Sequence, residues 1–118
     1  MNKPCKKKYQ AAPSKPLAAP GRKDDQHKPR MELLPMGALT EVAKVLTYGA
    51  GKYAPGNWKK VPEAGERYTG ALLRHLAAWR DGECFDKEAG GEKIRHIAQV
   101  ACNALFLLWF ELHEGEHA

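Results

Sequence analysis

Residues 92–112, EKIRHIAQVACNALFLLWFEL, decide how this chain folds. Ile94, Ile97, Ala98, Ala101, Leu105, Leu108 and Leu112 recur with the helical period. Val100, Ala104, Leu107 and Phe110 fill most of the remaining surface. A helix apolar on most sides is buried in a core, a membrane or a subunit interface. One stripe departs from the pattern. Glu92, His96, Gln99 and Asn103 are spaced 4, 3 and 4 apart, so their side chains leave one face on successive turns. Polar groups on a buried helix need partners, because an unpaired one costs about 1–3 kcal/mol. The partners can be side chains, water, a metal or a ligand.

At 118 residues the chain has room for one folded domain. Its charge is unevenly divided. Residues 1–27 hold seven Lys/Arg against Asp24 and Asp25, and the remainder holds twelve of each sign. The net charge of +5 therefore sits in the tail. A basic isoelectric point is then no argument that the folded part binds nucleic acid. The tail is rich in Lys, Pro and Ala and poor in large apolar groups, so disorder is expected over 1–27, with an ordered domain over 28–118. Lys6, Lys7 and Lys8 allow at most weak contact with nucleic acid, and a solubilising role suits them better.

Cys5, Cys84 and Cys102 are odd in number and lack zinc-finger spacing, which excludes a disulfide framework or a cysteine zinc site. Cys102 reads as a small buried hydrophobe. Reduced thiols, with no signal peptide, point to the cytoplasm. The longest uncharged run, Ile97 to Phe110, is 14 residues and too short for a membrane span of about 20.

Two helices are expected upstream. Leu39, Val42, Ala43 and Leu46 make one apolar face over about 36–48, ended by Gly49 or Gly51. Tyr68, Leu72, His75, Leu76 and Trp79 share a face over about 66–81, with Arg74 outward. Residues 49–65 read as a loop, with a possible short helix over 60–66, and 82–91 as an acidic, glycine-ended turn. No strand pattern is present. The expectation is all-α: a small antiparallel helical bundle, completed by homo-oligomerisation that covers the outer side of the apolar helix.

Two constellations can carry chemistry. A short turn makes the last two helices antiparallel neighbours, which brings His75 toward His96, with Glu83, Asp86, Glu88 and Glu92 at the same end. Imidazole with carboxylate suits a divalent ion of the Mn, Co, Ni or Zn type, and carboxylate alone suits Mg. The competing reading is a hydrogen-bonded network within the bundle. The second constellation is Lys52, Tyr53, Asn57, Trp58, Lys59 and Lys60. Lysines neutralise phosphates, an aromatic face stacks on a base, and an amide reads a base edge. Lys28 and Arg30 also stand near an anion's reach, and Glu41 is a further acid. There is no Walker loop, GxGxxG, HExxH or nucleophile elbow.

The segments KPRMELLPMGALTEVAKVLTYGAGKYAPGNWKK and RYTGALLRHLAAWRDGECFDKEAGGEKIRHIAQVACNALFLL together resemble the N-terminal domain family of phage dATP/dGTP diphosphohydrolases. The resemblance spans residues 28–108, and its motifs are specific as a set: KPR…LLP, YGxxKY…NW, RHLxAW, GExxD and HxxxxxxN. It implies an all-α domain related to MazG-like nucleotide pyrophosphohydrolases. Those take a purine deoxynucleoside triphosphate with a divalent metal (Mg, Mn or Co) and release monophosphate and pyrophosphate. MazG-like enzymes hold Mg with acids on two antiparallel helices, where this chain has His75, His96, Gln99 and Asn103. From the two constellations, metal binding is expected of His75, Asp86 and His96, catalysis of Glu83 and Glu92, and substrate binding of Lys52, Tyr53, Asn57, Trp58 and Lys59. Gln99 and Asn103 support them. The alternative is a non-catalytic helical module that binds nucleotide or a partner.

Overall fold

A computed structural model describes residues 20–89 and 94–114. The chain forms two compact units, divided between Arg30 and Met31. Residues 20–30 of the first unit are exposed and carry a turn, Lys28 N–H to Asp25 O at 3.2 Å. The expected basic tail falls mostly on residues 1–19, outside the described residues. All the described helices lie in the second unit.

Three α-helices make its frame: α1, Met36–Lys52; α2, Ala64–Arg80; and α3, His96–Leu112. Single 3-10 turns at Met31–Leu33 and Asn57–Lys60 precede α1 and α2. Among the described residues there is no strand, and one isolated antiparallel bridge joins Phe85 to Arg95. The architecture is the all-α bundle expected. Both other helices pack on α3, α2 more extensively than α1. Near the end of α2, His75 meets His96 at the start of α3. Near the start of α2, Tyr68 meets Phe106 and Phe110 late in α3. The two helices are therefore antiparallel.

The boundaries differ from the sequence expectation in ways the backbone explains. α1 runs through Gly49 and Gly51 to Lys52, because neither glycine has a positive φ and both keep helical hydrogen bonding. Tyr53 N–H still bonds Gly49 O at 2.9 Å. The expected helix over 60–66 is instead a 3-10 turn at Asn57–Lys60, followed by α2 from Ala64. α3 begins at His96 rather than Glu92. Arg95 is extended and Ile94 stays outside the helix because the hairpin claims the hydrogen bonds on either side: Asp86 N–H to Ile94 O at 2.8 Å and His96 N–H to Cys84 O at 3.0 Å. Glu92, expected on the helix face, lies outside the described residues.

The buried apolar residues are Val42, Ala64, Ala89, Ile94, Ala98 and Cys102, most of them small. Burial pushes the Cys102 thiol up to about 11, so it stays protonated and behaves as a hydrophobe. The far end of the α2–α3 pair is aromatic. Trp58 stacks on Phe106 at 4.4 Å, and Trp109 and Phe110 meet it edge-on. The Tyr68 hydroxyl donates to Trp58 O at 2.8 Å and pins the 3-10 turn to α2. The outer face of α3 is uncovered: Leu105 is 45% exposed, Leu108 48% and Leu112 73%. No helix among the described residues is long and apolar enough to cross a membrane.

Candidate metal centre and adjoining cavity

The α2–α3 hairpin positions the polar cluster. α2 ends in a Schellman motif. Gly82 N–H bonds Trp79 O and Glu83 N–H bonds Ala78 O, both at 3.0 Å, with Gly82 at φ +96°. The chain leaves the helix with Glu83 next in line and returns along the Phe85–Arg95 bridge. Asp86 is held over the first turn of α3. Its Oδ1 accepts the Glu88 N–H at 3.0 Å, and its Oδ2 accepts the Gln99 amide at 2.7 Å.

The two imidazoles meet directly. His75 Nδ1 and His96 Nδ1 are 2.9 Å apart, and His96 Nε2 lies 2.7 Å from Glu83 Oε2. Glu83 as a carboxylate only accepts, so His96 donates from Nε2. With both rings neutral, His96 Nδ1 then accepts from His75 Nδ1–H. One ligand atom from each of His75, Asp86 and His96 lies within 4.8 Å of the others. His96 is buried, and His75 and Asp86 are partly so. Gln99 orients Asp86, and the buried Asn103 donates back to Gln99 O at 2.7 Å. Among the described residues no buried side-chain polar atom lacks a partner.

The electrostatics suit a cation. Burial holds His75 below the ordinary imidazole value; Asp86 pulls the other way, while His96 and Arg74 add to the depression. Burial would raise Asp86, but the bonds from Gln99 and Glu88 and the nearby histidines hold it below the usual carboxylate range. Near neutral pH the cluster thus offers a neutral His75 and an ionised Asp86. Two nitrogens bound at about 2.1 Å with a right angle at the ion stand about 3 Å apart, close to the His75–His96 separation. Moving the His75 proton from Nδ1 to Nε2 would free its Nδ1 lone pair for an ion while the ring stays neutral. The donor set, two imidazoles and a carboxylate, fits Mn, Co, Ni or Zn better than Mg. Glu83 on the far nitrogen of His96 is the outer partner such sites use to fix a ligand ring.

His75, Gln99 and Asn103 also line a cavity of about 880 Å³ between α1, the Asn57–Lys60 turn, α2 and α3. That is within the range of small-molecule pockets. Lys52, Tyr53, Asn57 and Trp58 line it as well. Tyr53 is 63% exposed, with Lys52 Nζ 5.3 Å from its ring centre. Lys59 is not among the lining residues; its Nζ lies over Trp58 and Trp109 at 5.4 and 5.0 Å. One face of Trp58 is committed to Phe106. Arg74, expected to face outward, lines the cavity instead, together with Arg67. The apolar period marks only the face of α2 that meets α3; a cavity wall beside that face carries no hydrophobic signal.

A model of the family described as "dATP/dGTP diphosphohydrolase, N-terminal" matches residues 18–118. The chain is 33% identical over 89 residues to a dATP/dGTP diphosphohydrolase of Salmonella phage PMBT28. That match covers 75% of this chain and 29% of the relative. No solved structure matches.

Proposed function

This chain belongs to the family of N-terminal domains of dATP/dGTP diphosphohydrolases, and from that premise we propose that it performs metal-dependent hydrolysis of a purine deoxynucleoside triphosphate. Cleavage falls between the α and β phosphates and yields the monophosphate and pyrophosphate. The observation that carries this reading is the convergence of His75, Asp86 and His96, with His75 shared by the wall of an 880 Å³ cavity.

His75, His96 and Asp86 hold the divalent ion, which when bound supplies Lewis acidity toward a phosphoryl oxygen. Glu83 keeps the Nε2–H of His96 engaged and so presents Nδ1. Gln99 turns the Asp86 carboxylate through its amide bond. Lys52 neutralises phosphate charge from the cavity wall. Tyr53, with a largely exposed ring, stacks on the base, and Asn57 reads its edge. Trp58 supplies an apolar wall. Glu92, the second acid proposed for catalysis, lies outside the described residues. The tail of residues 1–27 serves solubility.

The test is incubation of the purified protein with dGTP or dATP and Mn, Co or Mg. Pyrophosphate release is expected with Mn or Co above that with Mg. Absence of release with all three metals overturns the hydrolytic reading. A second reading, a nucleotide-binding module without turnover, is favoured by the hydrogen-bonded network of His75, Glu83, Asp86, His96, Gln99 and Asn103, in which no buried side-chain polar atom among the described residues lacks a partner. It predicts tight nucleotide binding, no product and no metal requirement.

A further inference from the structure

Gly70 sits in the middle of α2, where glycine is a poor helix former. Its φ is not positive, and no backbone from another element crowds it. Beyond the helix's own backbone, one group comes within 4 Å of where its Cβ would stand: Arg74 Nη1, at 3.3 Å. The missing side chain therefore leaves room for the guanidinium one turn ahead to fold back along the helix. Gly70 and Arg74 both line the cavity that holds His75, the residue next to Arg74. Arg67, a turn before Gly70, lines it too, as does Lys52 at the end of α1. Glu66 is the one acid on that wall. Among the described residues, none of Lys52, Arg67 and Arg74 is in an ion pair. Three cations without carboxylate partners, around a cavity lined largely by apolar and amide groups, leave a net positive wall.

We propose that Lys52, Arg67 and Arg74 form a polyphosphate-binding wall, with Gly70 as the positioning residue that seats the Arg74 guanidinium along the cavity that His75 also lines. The guanidinium fork matches phosphate oxygens in pairs, which a lysine ammonium does not. Several cations along one wall favour a chain of phosphates over a single one. The inference deepens the hydrolytic reading and rests on it for its nucleotide. It nevertheless concerns an anion site that binds without turnover.

The experiment is calorimetric titration of the full chain with inorganic triphosphate and with inorganic phosphate, in EDTA. Triphosphate binds more tightly than phosphate. Arg74→Gln weakens triphosphate binding about 10- to 100-fold, the scale of a lost charge-assisted bond. Arg74→Lys falls between, and Arg80→Gln, off the cavity wall, binds like the wild type. Gly70→Ala weakens binding about two- to fivefold while its thermal midpoint holds or rises, an outcome a purely structural glycine would not produce. Wild-type affinity in Arg74→Gln overturns the proposal, as does failure of the wild type to bind triphosphate. Arg74-dependent binding in a protein that releases no pyrophosphate leaves this wall standing and removes the hydrolytic reading.

Discussion

Glu83 sets which nitrogen of His96 faces His75. Its carboxylate accepts the Nε2–H at 2.7 Å and leaves Nδ1 toward the cluster. Glu83 is 49% exposed, so its loss should not unfold the domain. Glu83→Ala is expected to weaken Mn binding and any metal-supported turnover about tenfold, as removal of an outer hydrogen-bond partner does, with the helical circular dichroism unchanged. An unaltered Mn affinity would show that the ring is fixed by packing alone. His75 carries the pH dependence. Burial, helped by His96 and Arg74, holds it below its ordinary value. The unfolded chain takes up a proton at this ring near pH 6.5, and the folded chain takes it up lower. Between those values the unfolded state binds more protons, so stability falls as pH falls. In the metal-free protein the thermal midpoint is expected to drop from pH 7 to below 6.5. The slope stays under about 1.4 kcal/mol per pH unit, the limit for one proton, and is reduced further by solvent around a half-buried ring. His75→Gln should flatten that slope; an equal slope in the variant places the titration elsewhere.

At the scale of elements, the hairpin from α2 to α3 is what assembles the cluster. Gly82, at φ +96° with open space around its Cα, is needed for backbone freedom and not for close packing. Gly82→Ala is expected to cost about 1 kcal/mol from the left-handed backbone alone. It should also loosen Glu83, whose N–H closes the motif on Ala78 O. Urea unfolding measures the first effect and the His96 imidazole NMR resonance the second; a stability equal to wild type would mean that the chain leaves α2 by another turn. The same hairpin explains why α3 starts late. Its hydrogen bonds to Ile94 O and from His96 N–H hold Arg95 extended and Ile94 outside the helix, although Ile94 fits the helical period.

At the scale of the molecule, α3 buries one side against α1 and α2 and leaves Ile97, Leu105, Leu108 and Leu112 exposed. Large apolar side chains left in water favour a covering partner, and a second copy of the chain is the occupant we propose. Leu108→Glu is expected to shift the sedimentation coefficient from that of an oligomer to that of a monomer while the helical signal is retained. A wild-type protein that sediments as a monomer at high concentration would exclude the self-association.

The sequence by itself determined the all-α class, the three helices and the family, because helical periodicity and residue motifs are local properties. It also placed His96, Gln99 and Asn103 on one face, since 3- and 4-residue spacing makes them neighbours in any helix. What only the tertiary structure decided was how that face is used. Gln99 turns to Asp86, Asn103 turns back to its own helix, and His96 is shared between His75 and Glu83. Periodicity cannot rank such partners, because they come from a turn whose path depends on one left-handed glycine and one bridge. The same holds for Arg74. A position beside a helix's apolar face reads as solvent in one dimension and becomes a cavity wall only when α1 and the Asn57–Lys60 turn pack opposite it. The apolar outer side of α3 shows the converse: hydrophobicity records that a surface is to be covered, and only packing shows that this chain's own helices leave it open.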